Sequence, residues 1–388
     1  MKMRNISKSL AAMVFAIAIV LSSVLTGGGA LVPKANAEND SANVGDVIEF
    51  GSYPQKLVTD KNLISALESE EKSWKSYGYY SGYDGETTGS MTSGDWMQYA
   101  DFTYDDVKYR AVSFYLYMPD CTYDEASVDY GYSTQKENGY EINEIYYFKY
   151  EPIQWIVLDP EEGLVLSKTI IDSQPYSEKL YEGYIDSDEC YNDVENTFYA
   201  NNYSTSSIRE WLNDDFYNTA FSDFEKECIS TSELENNAFD IAYGRYNSVT
   251  TYDNVFLLSF NEANNSAYGF NGSGASLSSG SSDYARCNGL WVNDENGMSP
   301  WFLRTAAEFS ACACSVGTDG DVDTSDDGMV SSNELGVRPA LRVFSIDSLN
   351  NAAAGWSSRS IVLTVVLVCI GVVLVAVLVL LFKKTFAK

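Results

Sequence analysis

Histidine is absent from all 388 residues of this sequence. Its absence excludes Ser-His-Asp and Cys-His catalysis, zinc sites built on imidazole, and histidine pH switches. Basic residues are also scarce, with 25 lysines and arginines against 55 aspartates and glutamates. Because so acidic a chain repels nucleic acid, we expect no nucleic-acid partner. An enzyme would have to use carboxylate, thiol or metal chemistry, and no motif supports one.

Charge is missing altogether from residues 360–382, which are rich in valine and leucine. A helix of that length spans roughly 34 Å, enough for the hydrocarbon core of a bilayer. The basic tail at residues 383–388 favours a cytoplasmic C-terminus. Residues 1–37 combine a basic start, a short apolar run and an Ala-x-Ala site, which is typical of a secretory signal peptide. The sequence therefore predicts a single-pass cell-membrane protein with an extracellular domain, joined to the span by a stalk at 346–359.

The acidity is concentrated in the predicted outer part. Eight of the basic residues lie in the two end segments, so residues 38–358 hold 17 basic against 55 acidic side chains, a net charge of −38. Such a field favours cations and basic partners, but solubility on a cell surface or tolerance of salt is the favoured explanation of the charge. Aromatic residues make up 14% of the chain. This content is typical of a folded domain with a sizeable core rather than of a disordered one.

Cysteine usage permits disulfides but does not define them. Apart from Cys369 in the predicted span, the cysteines are Cys121, Cys190, Cys228, Cys287, Cys312 and Cys314. An even number in an exported domain permits up to three bonds, with the pairing left open. The last two lie two residues apart on a strand-like stretch, so both side chains face one side. A bond between them would be strained, and we expect each to pair with a separate partner.

The hydrophobic patterns indicate strands near both ends and helices in the middle. A strand at 47–50 runs into a turn at 51–55, and the pieces at 109–117 and 146–150 read as edge strands. Residues 152–158 and 163–167 form a predicted hairpin, and 310–316 and 336–343 are further strands. Serines at 207 and 222, each followed three residues later by glutamate, predict capped helices. This order predicts a single irregular α+β domain.

Several motifs occur in a fixed order along the chain. They are FGSYPQ at 50–55, DSQPY at 172–176, SIREWLN at 207–213, WFLR at 301–304 and GVRPAL at 336–341. In content and order they resemble the bacterial surface domain of unknown function 6273. The resemblance covers about residues 45–345 and implies that the Tyr- and Asp-rich stretch 58–150 is an insertion. The family usually has Trp-Trp-Leu-Arg-Ser where this chain has Phe302 and Thr305.

The closing pattern is also similar to the end of the C-type-lectin and formylglycine-generating-enzyme fold. That resemblance implies a C-type-lectin-like, sulfatase-modifying-factor-like ectodomain, and it carries no function by itself.

An acidic loop at 319–328 is the sharpest candidate for a bound ion. Its alternating carboxylates could supply hard oxygen ligands to Ca²⁺, and Asp319, Asp321 and Asp323 are the predicted ligands. As an EF-hand loop it fails twice, because Thr324 replaces the turn glycine and Val330 replaces the bidentate glutamate. The alternative is a solvated acidic loop without a metal.

Two arginines and three tryptophans are predicted to be structural. In so acidic a domain, Arg304 and Arg338 are expected to be buried partners of carboxylates rather than ligand clamps. Trp155, Trp211 and Trp301 are expected to be core anchors.

The sequence favours a membrane-anchored extracellular binding module over two alternatives. Its partners would be the membrane through the C-terminal helix and an unidentified glycan or protein ligand. The alternatives are a non-binding structural surface component and an extracytoplasmic enzyme without histidine chemistry.

Overall fold

The computed structural model describes residues 42–79, 94–115, 117, 134–177, 199–270 and 277–346. Of these described residues, strands hold 37% and helices 22%. The strands are β1 (Val47–Leu57), β2 (Lys75–Tyr79), β3 (Gly94–Tyr104), β4 (Val107–Phe114), β5 (Tyr146–Asp159), β6 (Leu164–Ser167), β7 (Asp172–Ser173), β8 (Ile229–Ser230), β9 (Ser232–Asn236), β10 (Ser248–Asp253), β11 (Val255–Phe256), β12 (Trp301–Ala306), β13 (Ala313–Val316), β14 (Val322–Asp323), β15 (Gly336–Val337) and β16 (Ala340–Val343). The α-helices are α1 (Lys61–Glu68), α2 (Thr134–Glu137), α3 (Ser207–Trp211), α4 (Tyr217–Ala220), α5 (Asp223–Cys228), α6 (Phe260–Ala263) and α7 (Asp283–Cys287).

The strands form three sheets. The largest has nine strands in the order β11-β16-β6-β5-β4-β3-β2, with β1 pairing with β5 and β8 with β16. A second sheet has the order β14-β13-β12-β15-β7, and β9 and β10 form a separate ribbon. Within the described residues every strand pair is antiparallel except β12 with β15. The long strand β5 organises the large sheet, because β1, β4 and β6 all pair with it.

The FGSYPQ motif lies within a strand, so the turn predicted at 51–55 is wrong. Strand β1 continues through the motif, with a shift of register between Glu49 and Ser52. Gly51 occupies the shift with a φ of +69°, a conformation that L side chains rarely adopt. A Cβ at this position would also lie 2.6 Å from the ring of Phe221. A bulge therefore absorbs the glycine without ending the strand.

The predicted hairpin of residues 152–158 and 163–167 is confirmed by the pairing of β5 with β6. The pieces expected to be edge strands are not at an edge, because β4 lies between β3 and β5. Between β3 and β4, Asp105 and Asp106 both have positive φ values, of 49° and 61°. A two-residue turn of this kind matches the twist of a hairpin.

The GVRPAL motif connects the two larger sheets. Its start forms β15 and its end forms β16, which belong to the five-stranded and nine-stranded sheets respectively. The chain leaves one sheet for the other at Arg338 and Pro339. Since proline cannot donate a ladder hydrogen bond, it suits this crossing point. The single strand predicted at 336–343 is therefore two short strands.

Helices are short throughout the described ranges, and the longest, α1, has eight residues. The capping box of Ser222 and Glu225 is confirmed at the start of α5. In α3, Ser206 is the N-cap, one residue earlier than predicted, because its side chain accepts from the Arg209 amide. Helix α5 ends after six residues at β8, whereas the helical segment that starts at α3 continues through a π turn to Ala220. The predicted α+β class is therefore wrong, and the domain is dominated by its sheets.

The prediction of a transmembrane helix is not supported, since no helix in the ranges described above is long and apolar enough to cross a bilayer. The predicted span at 360–382, the stalk and the signal peptide at 1–37 lie outside the described residues.

The core is continuous between the two larger sheets and the helical segment 207–220. Trp155 and Trp301 are fully buried, and each indole N–H donates to a backbone carbonyl, of Phe50 and Leu277 respectively. Trp211 is also buried, at 9% exposed. The three tryptophans are therefore core residues as predicted. A smaller apolar cluster forms between β4, β5 and α1.

Candidate functional site

A polar cavity of about 390 Å³ lies between the large sheet and the helical segment 207–220. Five separate parts of the chain contribute its walls, namely β1, the strands β2–β4, β7, the helical segment 207–220 and α7. The lining residues are Tyr53, Ser76, Tyr99, Arg110, Asp172, Ser207, Glu210, Trp211, Asp214, Asp215, Thr219 and Tyr284. A volume of this size suits a small ligand.

Arg110 is the arginine in the cavity wall, and the β3–β4 hairpin positions it. It lies directly opposite Asp101 on the neighbouring strand. Its Nε and Nη2 atoms donate to the two carboxylate oxygens of Asp101, each at 2.8 Å. Nη1 and Nη2 also donate to the hydroxyls of Tyr284 and Tyr150, at 3.0 and 3.1 Å. The guanidinium is thus both neutralised and oriented by neighbouring side chains.

Aromatic rings surround the same guanidinium. Its central carbon lies 4.5 Å from the ring centroid of Tyr99 and 5.8 Å from that of Tyr53. Burial by itself lowers the pKa of Arg110, but Tyr284 and the hydrogen bond to Asp101 outweigh it and raise the pKa well above its ordinary value. Arg110 therefore stays charged and forms a fixed wall of the cavity.

Behind the arginine, Tyr53 and Asp172 form a buried hydrogen-bonded pair. The Tyr53 hydroxyl donates to Asp172 Oδ2 at 2.6 Å. Oδ1 of Asp172 accepts from Asn288 Nδ2 at 2.6 Å and from the Ser173 amide at 2.7 Å. Burial is the main cause that raises the pKa of Asp172, which is 1% exposed. The same burial, together with Asp172, raises the pKa of the Tyr53 hydroxyl well above its usual value.

The opposite wall is a helix interrupted by a π turn. Between α3 and α4, residues Leu212–Phe216 adopt π-helical geometry. Such turns are rare and are frequently found at functional sites. Here the turn places the adjacent carboxylates of Asp214 and Asp215 at the cavity, one helical turn beyond Glu210. Partial desolvation, followed by the charge of Asp214, raises the pKa of Asp215.

This arrangement suits binding better than bond cleavage. Both oxygens of Asp172 already accept hydrogen bonds from the protein, so this carboxyl is a positioning group for Tyr53 and Asn288. The carboxylates of Glu210, Asp214 and Asp215 face the cavity and are exposed. These exposed side chains can accept hydrogen bonds from a ligand, while the aromatic rings offer flat apolar faces.

The predicted calcium ligands lie elsewhere and are held by local contacts. Oδ1 of Asp319 accepts from the Asp321 amide at 3.0 Å. The carboxylate of Asp323, in β14, accepts from the hydroxyl and the amide of Ser325. In the part of the chain that the structure describes, no three acidic or cysteine side chains are grouped so that they could hold a metal ion. Calcium binding at this loop stays a prediction.

Three of the cysteines that the structure describes do not form the expected bonds. Cys228, Cys287 and Cys314 are free thiols, so the disulfide expected at Cys314 is not formed. Cys121 and Cys190 lie outside the described residues. Burial raises the pKa of Cys287 and of Cys314. Both thiols therefore stay protonated and unreactive at neutral pH.

The two predicted structural arginines have different partners. Arg304 forms the expected ion pair, with Glu262 of α6. Arg338 does not, since none of the carboxylates in the described ranges pairs with it. Instead it donates to the carbonyls of Ser167 and Leu277, at 2.9 and 3.0 Å. Burial lowers the pKa of Arg338 to about 9.

Sequence reasoning missed Arg110 and Tyr284 as site residues. A signal for Arg110 was present, because it is a lone arginine facing inward in the otherwise apolar end of β4. Tyr53, Asp172, Glu210 and the neighbours of Glu210 were in recognised motifs, but nothing in those motifs showed that they meet.

The fold and the site define a sheet-rich domain with a polar ligand-sized cavity. The family model of the Domain of unknown function (DUF6273) matches residues 161–345. Residues 161–345 of this chain therefore belong to that family, which confirms the resemblance for the motifs from DSQPY to GVRPAL; FGSYPQ lies outside the matched residues. No curated protein and no solved structure matches the chain, so the lectin-like ending is not confirmed.

The family boundary divides the cavity. Residues 161–345 supply Asp172, Tyr284 and the acidic helical wall, whereas the preceding residues supply Tyr53, Ser76, Tyr99 and Arg110. In this chain the cavity is thus completed by strands outside the matched domain.

Proposed function

We propose that this protein is an extracellular binding module that holds a small polar ligand in the cavity beside Arg110. The observation that carries the proposal is the convergence of five chain segments on one polar cavity of about 390 Å³. Three recognised motifs contribute to it, through Tyr53, Asp172 and the segment 207–215. The N-terminal pattern at residues 1–37 supports an extracellular location.

The construction of the cavity supports a binding role. Arg110 is held by four hydrogen bonds and Tyr53 by one to the buried Asp172, so the wall is organised before a ligand arrives. Organisation of this kind reduces the entropy lost on binding. The exposed groups are hydrogen-bonding side chains and aromatic faces, which recognise polar small molecules.

The proposal is tested by blocking the mouth of the cavity. Ser76 is an exposed residue of β2 that lines the cavity, so Ser76→Trp places a large side chain there. Ser73 is also exposed, lies three residues earlier and does not line it, so Ser73→Trp is the matched control. The purified protein is screened by thermal shift against a panel of sugars, amino acids, amines and carboxylates.

We expect at least one class of compound to raise the melting temperature of the wild type and of Ser73→Trp, but not of Ser76→Trp. A panel without any binder, or binders that Ser76→Trp retains in full, would contradict a ligand site at this cavity.

A further inference from the structure

Resting on the proposed function, the charges in the cavity point to the class of its ligand. Arg110 is the only lysine or arginine among the cavity-lining residues, and Asp101 already neutralises it through two hydrogen bonds. On the opposite wall lie three carboxylates, of Glu210, Asp214 and Asp215. None of the three forms an ion pair with a described lysine or arginine.

The cavity therefore has an excess of negative charge that the protein does not balance. An anionic ligand would be repelled by three carboxylates, and Arg110 has no free charge to offer it. The wider field of the acidic domain acts in the same direction. A positively charged ligand gains from both effects.

A bare metal ion is a poor match for this wall. Coordination needs several oxygen ligands within about 2–3 Å of one point. The carboxylates here are not grouped in that way, and the described residues contain no metal-ligating cluster. An extended organic cation can contact separated carboxylates with several N–H donors.

The aromatic lining adds an independent observation. Trp211 is 9% exposed and lines the cavity, and its indole N–H donates to no atom of the described residues. The faces of tryptophan and tyrosine rings attract cations, and tryptophan does so most strongly. The indole N–H is available to donate to an oxygen of a ligand. The cavity thus offers acceptors for a cation and a donor for an oxygen.

We infer that the ligand is a small organic ammonium compound that also carries oxygen acceptors. An amino sugar and a lysine derivative share this chemistry. The ammonium group faces Glu210 and the carboxylates of the π turn, and an oxygen accepts from Trp211.

Two pairs of probes test the charge directly. Glucosamine is compared with N-acetylglucosamine, and Nα-acetyl-lysine amide with its Nε-acetylated form. Within each pair, acetylation removes the positive charge and leaves most of the structure. Binding to the full-length protein is measured by titration calorimetry at a pH where the amines are protonated, at low and at high salt.

We expect at least one charged probe to bind more tightly than its acetylated partner, and added salt to weaken that binding. The double variant Glu210→Gln with Asp215→Asn should lower its affinity by between about twofold and thirtyfold, because two ionic contacts with the ammonium group are lost. The control variant Glu295→Gln with Asp294→Asn removes the same charge from exposed residues that do not line the cavity. It should leave the affinity unchanged.

The two pairs of probes show whether an amino sugar or a lysine derivative supplies the ammonium group. Equal binding of the charged and acetylated forms, blocked by Ser76→Trp, would overturn the inference and leave the proposed binding function intact. Failure of all four probes also overturns it. The binding function itself fails only if the wider panel has no binder that Ser76→Trp excludes.

Discussion

Arg110 and Arg304 are both 5% exposed, and each pairs with a carboxylate, yet they serve different regions. Arg304 lies in β12 and joins the five-stranded sheet to α6 through Glu262 and to the Leu257 carbonyl. Arg110 lies in the nine-stranded sheet, where Asp101 and the tyrosines hold it at the cavity. The side chain of Glu262 is 16% exposed and that of Asp101 is 25% exposed.

The difference shows how surroundings decide the role of one kind of ion pair. At Arg304 the guanidinium joins β12 to α6, which pack against each other, and its Nε donates to no acceptor. At Arg110 the donors are satisfied by groups that themselves line or adjoin the cavity. The first pair stabilises the core, and the second organises a surface. Substitutions at the two places should therefore have different consequences for stability and binding.

The largest expected effect is on the core pair. Arg304→Met should lower the free energy of unfolding by roughly 3–5 kcal/mol, because it leaves the carboxylate of Glu262 without a counter-ion and with hydrogen bonds from Ser259 alone. Arg110→Met should cost less, about 1–3 kcal/mol, because Asp101 is closer to solvent. Urea unfolding of both variants measures the difference. Equal losses would show that the two pairs are not distinguished by burial.

An intermediate effect is expected from the cavity wall itself. Tyr53→Phe removes one hydrogen bond from the buried Asp172 and should cost about 1–2 kcal/mol near neutral pH. It also raises the pKa of Asp172 further, since that hydrogen bond lowers it.

The pH dependence of Tyr53→Phe follows from the sign of that change. When the pKa of a carboxyl is higher in the folded state than in the unfolded state, the folded protein becomes less stable as the pH rises from the unfolded-state pKa through the folded-state pKa. The loss of unfolding free energy caused by Tyr53→Phe should thus be largest at high pH and smaller in acid. Chemical unfolding across pH 4 to 8 checks this, and a deficit independent of pH would contradict it.

The smallest expected effect on stability is that of Asp215, at the rim of the cavity. The pKa of Asp215 is raised, so its ionised form opposes folding above the ordinary pKa of an aspartate, about 3.9. Asp215→Asn should therefore raise the melting temperature slightly at neutral pH and not at all near pH 3, while weakening the binding of a cation. Asp294→Asn is the matched control. A loss of stability in Asp215→Asn at neutral pH would show that this carboxylate is a structural group.

Much of the local structure was predictable because it depends on neighbours in sequence. The β5–β6 hairpin and the capping box of Ser222 follow from short patterns that act over a few residues. The three core tryptophans follow from their size and apolarity. The α+β class failed because a cap predicts where a helix begins and not how soon an extended segment ends it. The turn at Gly51 failed because a bulge and a turn both use a glycine with positive φ.

The sequence by itself determined the family of residues 161–345, the absence of imidazole chemistry and the strong acidity of the domain. Only the tertiary structure decided where that acidity meets a cavity. Tyr53, Arg110, Asp172 and Tyr284 are far apart in the chain, and their contacts depend on the pairing of β1 and β4 with β5 and on the packing of α7. The alternation of residues in a strand shows which of its faces is buried. It does not show which distant strand pairs with it, so these contacts could not be predicted from one sequence.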